Sequence, residues 1–260
     1  MSRRRDSIRA AAQVVREDGY VVFRSLLAAD ALGAEHDATL QDAFTSSRRQ
    51  AGSAGNEFRY VPTMCERTPV SIGLVVQFAS VAADLVGSAV LPSRAKATEY
   101  HGDTDWHRDS DRPTISIGFV AYLDALDEES GALRVRRGSH RRGVASRSCA
   151  VDVIATAPGD VIIFDEHLWH ASIGGGQRRQ WRVDYVADTG DDQALRAYFT
   201  QQYAPGWDPG YDPDRYPSYG PSWRALDARW NERLDALGAY AAADAEEAFM
   251  RGRRRDDATR

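Results

Sequence analysis

The sequence predicts a mainly β domain, an antiparallel barrel or sandwich, with helices on both sides of it. Short apolar runs recur between residues 89 and 190, separated by turn sequences such as "DEESG" and "PGD". These runs do not alternate with helical segments, as a βαβ fold would require. The stretches before and after them place apolar residues at helical spacing, which predicts the flanking helices.

The first 88 residues are expected to be mainly helical. Apolar residues recur at helical spacing after Asp6, and Gly19 can end that helix. Aromatic and β-branched residues then predict a strand. The expected elements are a helix over 6–19, a strand over 20–27, a helix from Asp30 to about Phe44, a polar loop over 46–57 and a buried helix over 71–88.

The β core is expected over residues 89–190, followed by a helical extension over 191–260, all within a single domain of residues 1–260. An antiparallel barrel or sandwich needs several short strands at close spacing, and at least six runs qualify. The expected strands cover 94–101, 114–126, 131–139, 150–157, 160–172 and 179–186.

Composition and charge narrow the classes of function. The chain of 260 residues has a formal net charge of −5, so nothing in its total charge points to nucleic acid. No run approaches 18 consecutive apolar residues, so no membrane partner is expected, and no signal-peptide pattern opens the chain. Cys65 and Cys149 lie far apart, which favours a reducing compartment, and the cytoplasm is the expected location.

The lysine content of the chain limits two kinds of function, Schiff-base catalysis and phosphate binding by a P-loop. Lys96 is the only lysine, so Schiff-base catalysis would depend on that residue alone. The phosphate-binding pattern G-x-x-x-x-G-K-[ST] is absent from the sequence.

The stretch "TDWHRDSD", residues 104–111, surrounds one histidine with carboxylates. It suits a solvated acidic loop, a calcium loop or part of a transition-metal site. The EF-hand pattern fails, because counting from Asp103 puts His107 at position 5 and Thr114 at position 12. In a strand, residues i and i+2 face the same side, so His107 and Asp109 can converge on one metal ion.

A third ligand has to come from another part of the chain. His167 and His170 end the apolar run "DVIIFDEHLWH" in the β core, whereas the other histidines lie in a helix, a bend or a basic turn. Two histidines and one carboxylate on one face of a metal form the facial triad of non-haem Fe(II) oxygenases. Such a triad leaves positions open for a keto acid and dioxygen.

A site for an acidic cosubstrate also needs a cationic side chain that binds the cosubstrate's carboxylate. The sequence "GGGQRRQWRV", residues 174–183, follows His170 and contains Arg178, Arg179 and Arg182. A guanidinium binds a carboxylate through two parallel hydrogen bonds, so one of these arginines can hold the far carboxylate of 2-oxoglutarate. Each feature alone is common on protein surfaces, and it is their order within one β core that favours the oxygenase interpretation.

The set of motifs resembles the phytanoyl-CoA dioxygenase-like branch of Fe(II)/2-oxoglutarate-dependent oxygenases. The resemblance covers about residues 10–190 and rests on the following stretches: "REDGYVVFRSLL" (16–27), "WHRD" (106–109), "YLDALDEESGALRVRRGSHR" (122–141), "APGDVIIFDEHLWHAS" (157–172) and "RRQWRVDYV" (178–186). It implies a double-stranded β-helix, the jelly roll that is also found in cupins.

By motif position, the resemblance implies iron ligation by His107, Asp109 and His170. It favours Arg179 as the 2-oxoglutarate anchor, with Arg182 as the alternative, and Ser172 as a further contact to 2-oxoglutarate. Related halogenases have a small residue in place of the carboxylate, so Asp109 favours hydroxylation or another oxidation. Arg137 departs from the family pattern, since many members have proline before "GSH".

The expected enzyme is a dioxygenase that uses Fe(II), 2-oxoglutarate and O2, most simply to hydroxylate a small polar molecule in bacterial secondary metabolism. Desaturation, epimerisation or cyclisation at the same iron, a zinc hydrolase and a non-catalytic cupin-like binding protein stay open. The loop 46–57 and the segment 203–219 are candidate lids, and the basic hairpin 134–142 is interpreted as a solvated face. Candidate substrate contacts are Arg59, Tyr60, Glu99, Trp106, Arg108 and Trp169.

Overall fold

Two antiparallel sheets form the centre of the computed structural model, which describes residues 2–44, 50–51, 57–141, 143–203 and 208–258. The larger sheet has the strand order β1-β9-β6-β11-β4-β3-β2 and the smaller one the order β5-β10-β7-β8. Strands β4 to β11 therefore alternate between the sheets in the order of a double-stranded β-helix. The predicted jelly-roll core with flanking helices is confirmed.

The strand bounds show where the sequence prediction was incomplete. The larger sheet contains β1 (Tyr20–Phe23), β2 (Gln50–Ala51), β3 (Glu57–Pro62), β4 (Val90–His101), β6 (Ser116–Tyr122), β9 (Val161–Asp165) and β11 (Gln177–Ala187). The smaller sheet contains β5 (Thr104–His107), β7 (Leu133–Arg136), β8 (Val151–Ile154) and β10 (His170–Ser172). Three strands of the larger sheet thus precede residue 89, where the β core was expected to begin.

Alternation along the strands of the larger sheet separates two apolar layers. On β6, Phe119 packs with the helices outside the sheet, and Val120 packs between the two sheets. On β9, Ile163 and Phe164 alternate in the same way. The interior of the double-stranded β-helix is therefore lined by every second residue, and this parity decides which side chains can reach a site inside it.

Helix α3 (Pro69–Val86) covers the outer face of the larger sheet. Its Phe78 ring stacks on Phe119 at 5.1 Å, and the Tyr185 hydroxyl donates a hydrogen bond to the Val75 carbonyl oxygen at 2.6 Å. Among the described residues, α3 is the one helix long and apolar enough to cross a membrane by length and composition, with a mean hydropathy of 1.7. These contacts are those of a helix that packs on the core of the domain.

The remaining helices lie before and after the β core, as predicted. α1 (Ser2–Asp18) ends at Gly19, whose φ of 89° is a left-handed conformation that favours glycine. α2 (Ala29–Ala43) follows β1, which is shorter than the predicted strand. The C-terminal part contains α4 (Asp192–Gln202), α5 (Pro221–Arg224), α6 (Ala228–Ala236) and α7 (Ala239–Ala258).

The Tyr-rich segment 203–219 was expected to act as a lid, and its described part does not. Tyr203, Tyr211, Tyr216 and Tyr219 are all buried, at 5% exposure or less. The Tyr203 and Tyr219 hydroxyls both donate hydrogen bonds to the Ser93 carbonyl oxygen, at 2.8 and 2.7 Å. These four tyrosines are part of the core, because large aromatic side chains are stabilised by burial. The other candidate lid, 46–57, lies almost entirely outside the described residues.

Asp160 stabilises the turn before β9, and its removal should cost stability. The buried carboxylate accepts hydrogen bonds from the Ser25 and Ala157 amides at 2.9 and 3.0 Å and pairs with Arg24. Although burial raises the pKa of Asp160, these donors lower it overall. We expect Asp160→Asn to reduce the free energy of unfolding at pH 7 by about 2 kcal/mol.

The pH dependence of that loss checks its cause. A lowered carboxyl pKa stabilises the fold fully above the ordinary Asp pKa of about 3.9, and the contribution disappears as the pH falls through the folded pKa. The difference between wild type and Asp160→Asn in urea unfolding should therefore shrink towards pH 3. The exposed Asp235→Asn variant serves as control, and an equal loss there would contradict the assignment.

Candidate active site

His107 and His170 face each other across two paired strands of the smaller sheet. His107 ends β5 and His170 begins β10, and the two residues are direct partners in the antiparallel register. Their ring centroids lie 4.2 Å apart. Pairing across the sheet thus places two imidazoles side by side although 63 residues separate them in the chain.

Backbone carbonyls orient both rings. Nδ1 of His107 lies 2.7 Å from the Asp105 carbonyl oxygen, and Nδ1 of His170 lies 2.9 Å from the Leu168 carbonyl oxygen. A carbonyl accepts a hydrogen bond, so Nδ1 carries the proton in each ring and Nε2 keeps its lone pair. Both Nε2 atoms point toward Asp109, at 3.4 and 3.5 Å from its carboxylate oxygens.

Asp109 lies just beyond the end of β5, where the chain is held by the backbone. The amides of Asp109 and Ser110 both donate to the Glu166 carbonyl oxygen, at 3.0 and 3.1 Å. These two bonds fix the carboxylate beside the histidines, and one ligand atom each from His107, Asp109 and His170 lies within 4.8 Å of the others. The sequence-predicted set is therefore brought together, with His167 bound elsewhere to Asp165 at 2.8 Å.

His170 and Asp109 have the protonation states that a metal site needs, whereas burial lowers the pKa of His107 but Asp109 raises it overall. Burial lowers the pKa of His170 to about 4, which favours its neutral form. Burial would raise the pKa of Asp109, but the Arg182 guanidinium and the two histidines hold it well below its ordinary value. Two imidazole nitrogens and one carboxylate are a donor set that suits Fe(II), so these residues fit the metal that the sequence predicted.

Arg182 is the ion-pair partner of the Asp109 carboxylate. Its Nη1 donates to Asp109 Oδ2 at 2.6 Å, its Nη2 to Glu166 Oε1 at 2.9 Å, and its Nε to Asp184. Arg182 is buried, with 6% exposure, and so are the carboxylates of Glu166 and Asp184. The sequence predicted it as an alternative anchor for 2-oxoglutarate, but its three nitrogens are already occupied by protein carboxylates.

We expect Arg182→Lys to weaken Fe(II) binding roughly 10- to 100-fold, as loss of a partner that orients a ligand typically does. Lysine keeps the positive charge but cannot bind three carboxylates in fork geometry. The measurement is Fe(II) titration of metal-free protein under nitrogen, with circular dichroism to confirm folding. Arg94→Lys is the matched control, because Arg94 is buried and pairs with Glu246 at 2.8 Å. Unchanged affinity in Arg182→Lys would contradict this role.

The three candidate ligands line one cavity between the sheets. Its apolar lining residues are Val120, Leu133, Phe164 and Ala171. The polar residues that line it apart from the ligands are Lys96, Tyr100, Thr104, Tyr122, Ser172, Arg178, Gln180 and Arg182. On β11 the lining residues are thus Arg178, Gln180 and Arg182, every second residue, as the parity of the strand requires.

Arg178 and Ser172 lie together in this cavity. Arg178 is only 1% exposed, and its guanidinium donates to the Gly175 carbonyl oxygen at 3.1 Å and to Thr104 Oγ1 at 3.4 Å. Ser172 Oγ donates to the carbonyl oxygen of Gly131. A side chain at Gly131 would lie 2.9 Å from Arg178, so this glycine makes room for the guanidinium. Among the described residues, Arg178 has no carboxylate partner.

Arg179, the predicted anchor for 2-oxoglutarate, lies outside the cavity. Its guanidinium pairs with Asp37 at 2.8 Å and with Asp124 at 2.7 Å, on the outer side of the larger sheet. Neighbouring residues of a strand face opposite sides, so Arg178 and Arg179 cannot both point inward. The structure thus places Arg178 in the cavity, and not Arg179, which the sequence favoured as the anchor.

None of the six predicted substrate contacts lines the cavity. Arg59 lies over the Phe44 ring at 5.6 Å, and Glu99 contacts His101 at 2.7 Å. Tyr60 is buried beside Arg94, with 5.2 Å from the guanidinium to the ring. The other three are Trp106, Arg108 and Trp169, and they form cation–π pairs. The Arg136 guanidinium lies 4.2 Å from the Trp106 ring, and the Arg108 guanidinium lies 5.4 Å from the Trp169 ring.

The polar uncharged residues and the lysine of the cavity that the sequence interpretation did not select are Lys96, Tyr100, Thr104, Tyr122 and Gln180. The signal for Lys96, Tyr100, Tyr122 and Gln180 was the alternation along β4, β6 and β11. Lys96 pairs with Arg182, and Tyr100 with Arg178, in the antiparallel register. Direct partners share a face of the sheet, so each inward residue on β11 identifies an inward residue on β4.

Residues 15–180 match the family described as phytanoyl-CoA dioxygenase. It is also similar to the dioxygenase trt7 of Aspergillus terreus, with 28% identity over 204 residues, which cover 68% of this chain and 70% of that protein.

Solved structures share the fold. The epimerase SnoN, in complex with Fe3+, alpha-ketoglutarate and nogalamycin RO, matches with a TM-score of 0.60 and 18% identity over 71% of this chain and 85% of that one. EctD from S. alaskensis, with 2-oxoglutarate and 5-hydroxyectoine, matches with a TM-score of 0.57 and 24% identity over 68% of this chain and 74% of that one. AviO1 from Streptomyces viridochromogenes Tue57 matches with a TM-score of 0.55 and 22% identity over 69% of this chain and 95% of that one.

Proposed function

The chain belongs to the phytanoyl-CoA dioxygenase family, and on this premise we propose that it is an Fe(II)- and 2-oxoglutarate-dependent dioxygenase. The proposed reaction is hydroxylation of a small polar molecule in bacterial secondary metabolism, coupled to conversion of 2-oxoglutarate and O2 to succinate and CO2. We further propose a cytoplasmic enzyme whose partner is its small-molecule substrate, in keeping with the free thiols of Cys65 and Cys149.

One observation carries the proposal. His107, Asp109 and His170 converge in a cavity that also contains a buried guanidinium with no carboxylate partner among the described residues. Burying an arginine without an oppositely charged partner reduces the stability of the fold, so its presence there favours a carboxylate ligand. A metal triad and a carboxylate-binding arginine in one cavity are what a chelating dicarboxylic keto acid requires.

Each residue of the cavity has a proposed role. His107 and His170 would bind Fe(II) through Nε2 and Asp109 through its carboxylate, and Arg178 would hold the far carboxylate of 2-oxoglutarate with help from Ser172. Bound Fe(II) supplies the redox chemistry that no side chain here can provide. The apolar side chains of Val120, Leu133 and Phe164 would keep water away from the reacting groups.

A second candidate reaction uses the same site. The structures similar to this one include an epimerase, SnoN, and a carbocyclase, SnoK, besides EctD. The fold therefore supports epimerisation, cyclisation or desaturation as well as hydroxylation, and the position of the substrate decides among them. Asp109 favours these oxidations over halogenation, because its carboxylate occupies the position that halogenases leave free.

The test is anaerobic binding followed by turnover. Fe(II) and then 2-oxoglutarate are added to metal-free protein under nitrogen, and the visible charge-transfer band of the chelate is recorded. Air is then admitted, and succinate formation is measured without and with candidate substrates. We expect the band to appear and succinate to form slowly without a substrate and faster with one.

Assays with Zn²⁺ distinguish the dioxygenase from a zinc hydrolase and from a non-catalytic binding protein. If the folded protein binds Zn²⁺ and hydrolyses esters or amides, but gives no charge-transfer band with Fe(II) and 2-oxoglutarate, the dioxygenase proposal is wrong and a hydrolase with two histidines and one aspartate replaces it. Metal binding with neither activity would favour a cupin-like binding protein.

A further inference from the structure

Helix α4 contacts the two segments of the chain that surround Asp109. The Tyr198 hydroxyl donates a hydrogen bond to Glu166 Oε2 at 3.0 Å, and Gln201 Oε1 accepts one from Arg112 Nε at 2.9 Å. The family match ends at residue 180, so α4 lies beyond it. The C-terminal extension therefore contacts the surroundings of a candidate metal ligand through residues that the family match does not include.

Glu166 connects α4 to Asp109 through both its backbone and its side chain. Its carbonyl oxygen accepts hydrogen bonds from the Asp109 and Ser110 amides, at 3.0 and 3.1 Å. Glu166 is only 1% exposed, and its two carboxylate oxygens have different partners. Oε1 accepts from Arg182 Nη2 at 2.9 Å, and Oε2 accepts from the Tyr198 hydroxyl. Since a buried carboxylate needs hydrogen-bond donors, Tyr198 limits how this carboxylate is oriented toward Arg182.

Arg182 extends the same contacts to the Asp109 carboxylate. Its Nη1 donates to Asp109 Oδ2 at 2.6 Å, so Tyr198, Glu166, Arg182 and Asp109 form one continuous series of hydrogen bonds. The first three of these residues are all buried, at 6% exposure or less. Hydrogen bonds inside a protein are stronger than in water, and the members of a network polarise one another. The orientation of the Asp109 carboxylate therefore depends on a hydroxyl group two side chains away.

The Tyr198 hydroxyl is not needed to fill the core. The ring packs on Phe199 with 5.5 Å between centroids, and phenylalanine would fill the same space. A buried hydroxyl destabilises the fold unless it is hydrogen-bonded, and this one bonds Glu166 and lies 3.0 Å from Ser93 Oγ. Tyr203, by contrast, donates to a backbone group, the Ser93 carbonyl oxygen. The partner of Tyr198 is thus the feature that connects this tyrosine to the candidate site.

From this series of contacts we infer that Tyr198 is a positioning residue of the candidate metal centre. It acts through Glu166 and Arg182, and it holds the Asp109 carboxylate in the orientation in which that group binds the metal ion. Hydrogen-bond partners of a ligating carboxylate commonly tune metal affinity, because they restrict its orientation. The inference rests on the proposed function, since it takes Asp109 as a metal ligand, and it gives the C-terminal extension a part in that site.

Tyr198→Phe tests the inference, because it removes the hydroxyl and keeps the ring. Metal-free, full-length protein is titrated with Co(II), which can replace Fe(II) and whose visible absorption reports the arrangement of its ligands. We expect Tyr198→Phe to bind Co(II) roughly 3- to 10-fold more weakly than wild type, a smaller effect than loss of a direct partner of a ligand. The visible absorption of the bound Co(II) should also change.

Tyr203→Phe is the matched control, since it also removes one hydroxyl from a buried ring of the same region. Tyr203 is 1% exposed and Tyr198 is 0% exposed, but the partner of Tyr203 lies outside the series that leads to Asp109. We expect both variants to lose similar stability in urea unfolding, and only Tyr198→Phe to lose Co(II) affinity. Equal losses of Co(II) affinity would show a general effect on folding and would overturn the inference.

Glu166→Gln tests the route to Asp109 without relying on a tyrosine variant. Glutamine keeps the shape of the side chain but loses the charge that binds Arg182, so Co(II) affinity should fall at least as far as in Tyr198→Phe. Adding Tyr198→Phe to Glu166→Gln should then change the affinity by less than about twofold, because effects within one network are not additive. Unchanged affinity in Glu166→Gln, or the full further loss in the double variant, would contradict the inference.

Wild-type protein separates failure of the inference from failure of the proposed function. If folded wild type binds neither Co(II) nor Fe(II), the proposed function is wrong, and so is the inference that rests on it. If wild type binds Co(II) and Tyr198→Phe binds it equally well with the same absorption, only the inference is wrong. Circular dichroism shows that each variant is folded before its Co(II) affinity is compared.

Discussion

His107→Ala should reduce Fe(II)-dependent consumption of 2-oxoglutarate to background. The imidazole provides one of three candidate ligand atoms, and removing it leaves only Asp109 and His170. Loss of an outer partner of a ligand typically costs 10- to 100-fold in affinity, and loss of the ligand itself should cost more than that. The measurements are Fe(II) titration under nitrogen and succinate formation in air.

His101→Ala is the matched control. His101 precedes His107 by six residues and pairs with Glu99, 2.7 Å from Nε2 to Oε1, away from the candidate ligands. We expect this variant to bind Fe(II) as wild type does. Equal losses in both variants would point to a general effect on folding, and wild-type turnover in His107→Ala would refute the ligand assignment.

The convergence of His107 and Asp109 could be predicted because it depends on short-range order. His107 and Asp109 are two residues apart, so any extended conformation brings them to one side. The structure adds what the sequence did not contain: Asp109 lies past the strand, and the Glu166 carbonyl oxygen holds it there at 3.0 Å. That bond joins residues 57 positions apart, so no local pattern could have predicted it.

The strands that were missed depend on tertiary contacts. β3 follows a polar stretch of sequence and pairs with β4 in the larger sheet, and β5 has only four residues. The predicted run 160–172 divides into β9 and β10 because the chain leaves one sheet and enters the other between them. Apolar composition alone does not reveal such a change of sheet.

The parity of β11 could not be predicted for a related reason. Gly174, Gly175 and Gly176 all adopt positive φ angles, of 131°, 68° and 80°, and the strand begins directly after them at Gln177. A turn made of three flexible residues can deliver the next residue to either face of the sheet. A slip of one residue exchanges every inward and outward side chain, so the motif position that favoured Arg179 could not decide which face of the sheet this residue occupies.

Arg178→Met should weaken 2-oxoglutarate binding by about 2–4 kcal/mol, or roughly 30- to 1,000-fold, with little change in Fe(II) affinity. The guanidinium is buried in the cavity and has no carboxylate partner among the described residues, so the far carboxylate of 2-oxoglutarate would lose its charged hydrogen bonds. Methionine keeps much of the side-chain volume, which limits collapse of the site. Titration of the charge-transfer band under nitrogen gives the affinity directly.

Arg179→Met tests the parity of the strand with the adjacent residue. Arg179 is 27% exposed at its side chain and pairs with Asp37 and Asp124 outside the cavity, so its removal should change 2-oxoglutarate affinity little. Its ion pairs are partly exposed, and their loss should cost about 1 kcal/mol of stability or less. If Arg179→Met loses 2-oxoglutarate binding and Arg178→Met keeps it, the inward face of β11 is assigned wrongly. Weak binding in Arg178→Met alone supports the assignment, because only a side chain that lines the cavity can hold a ligand there.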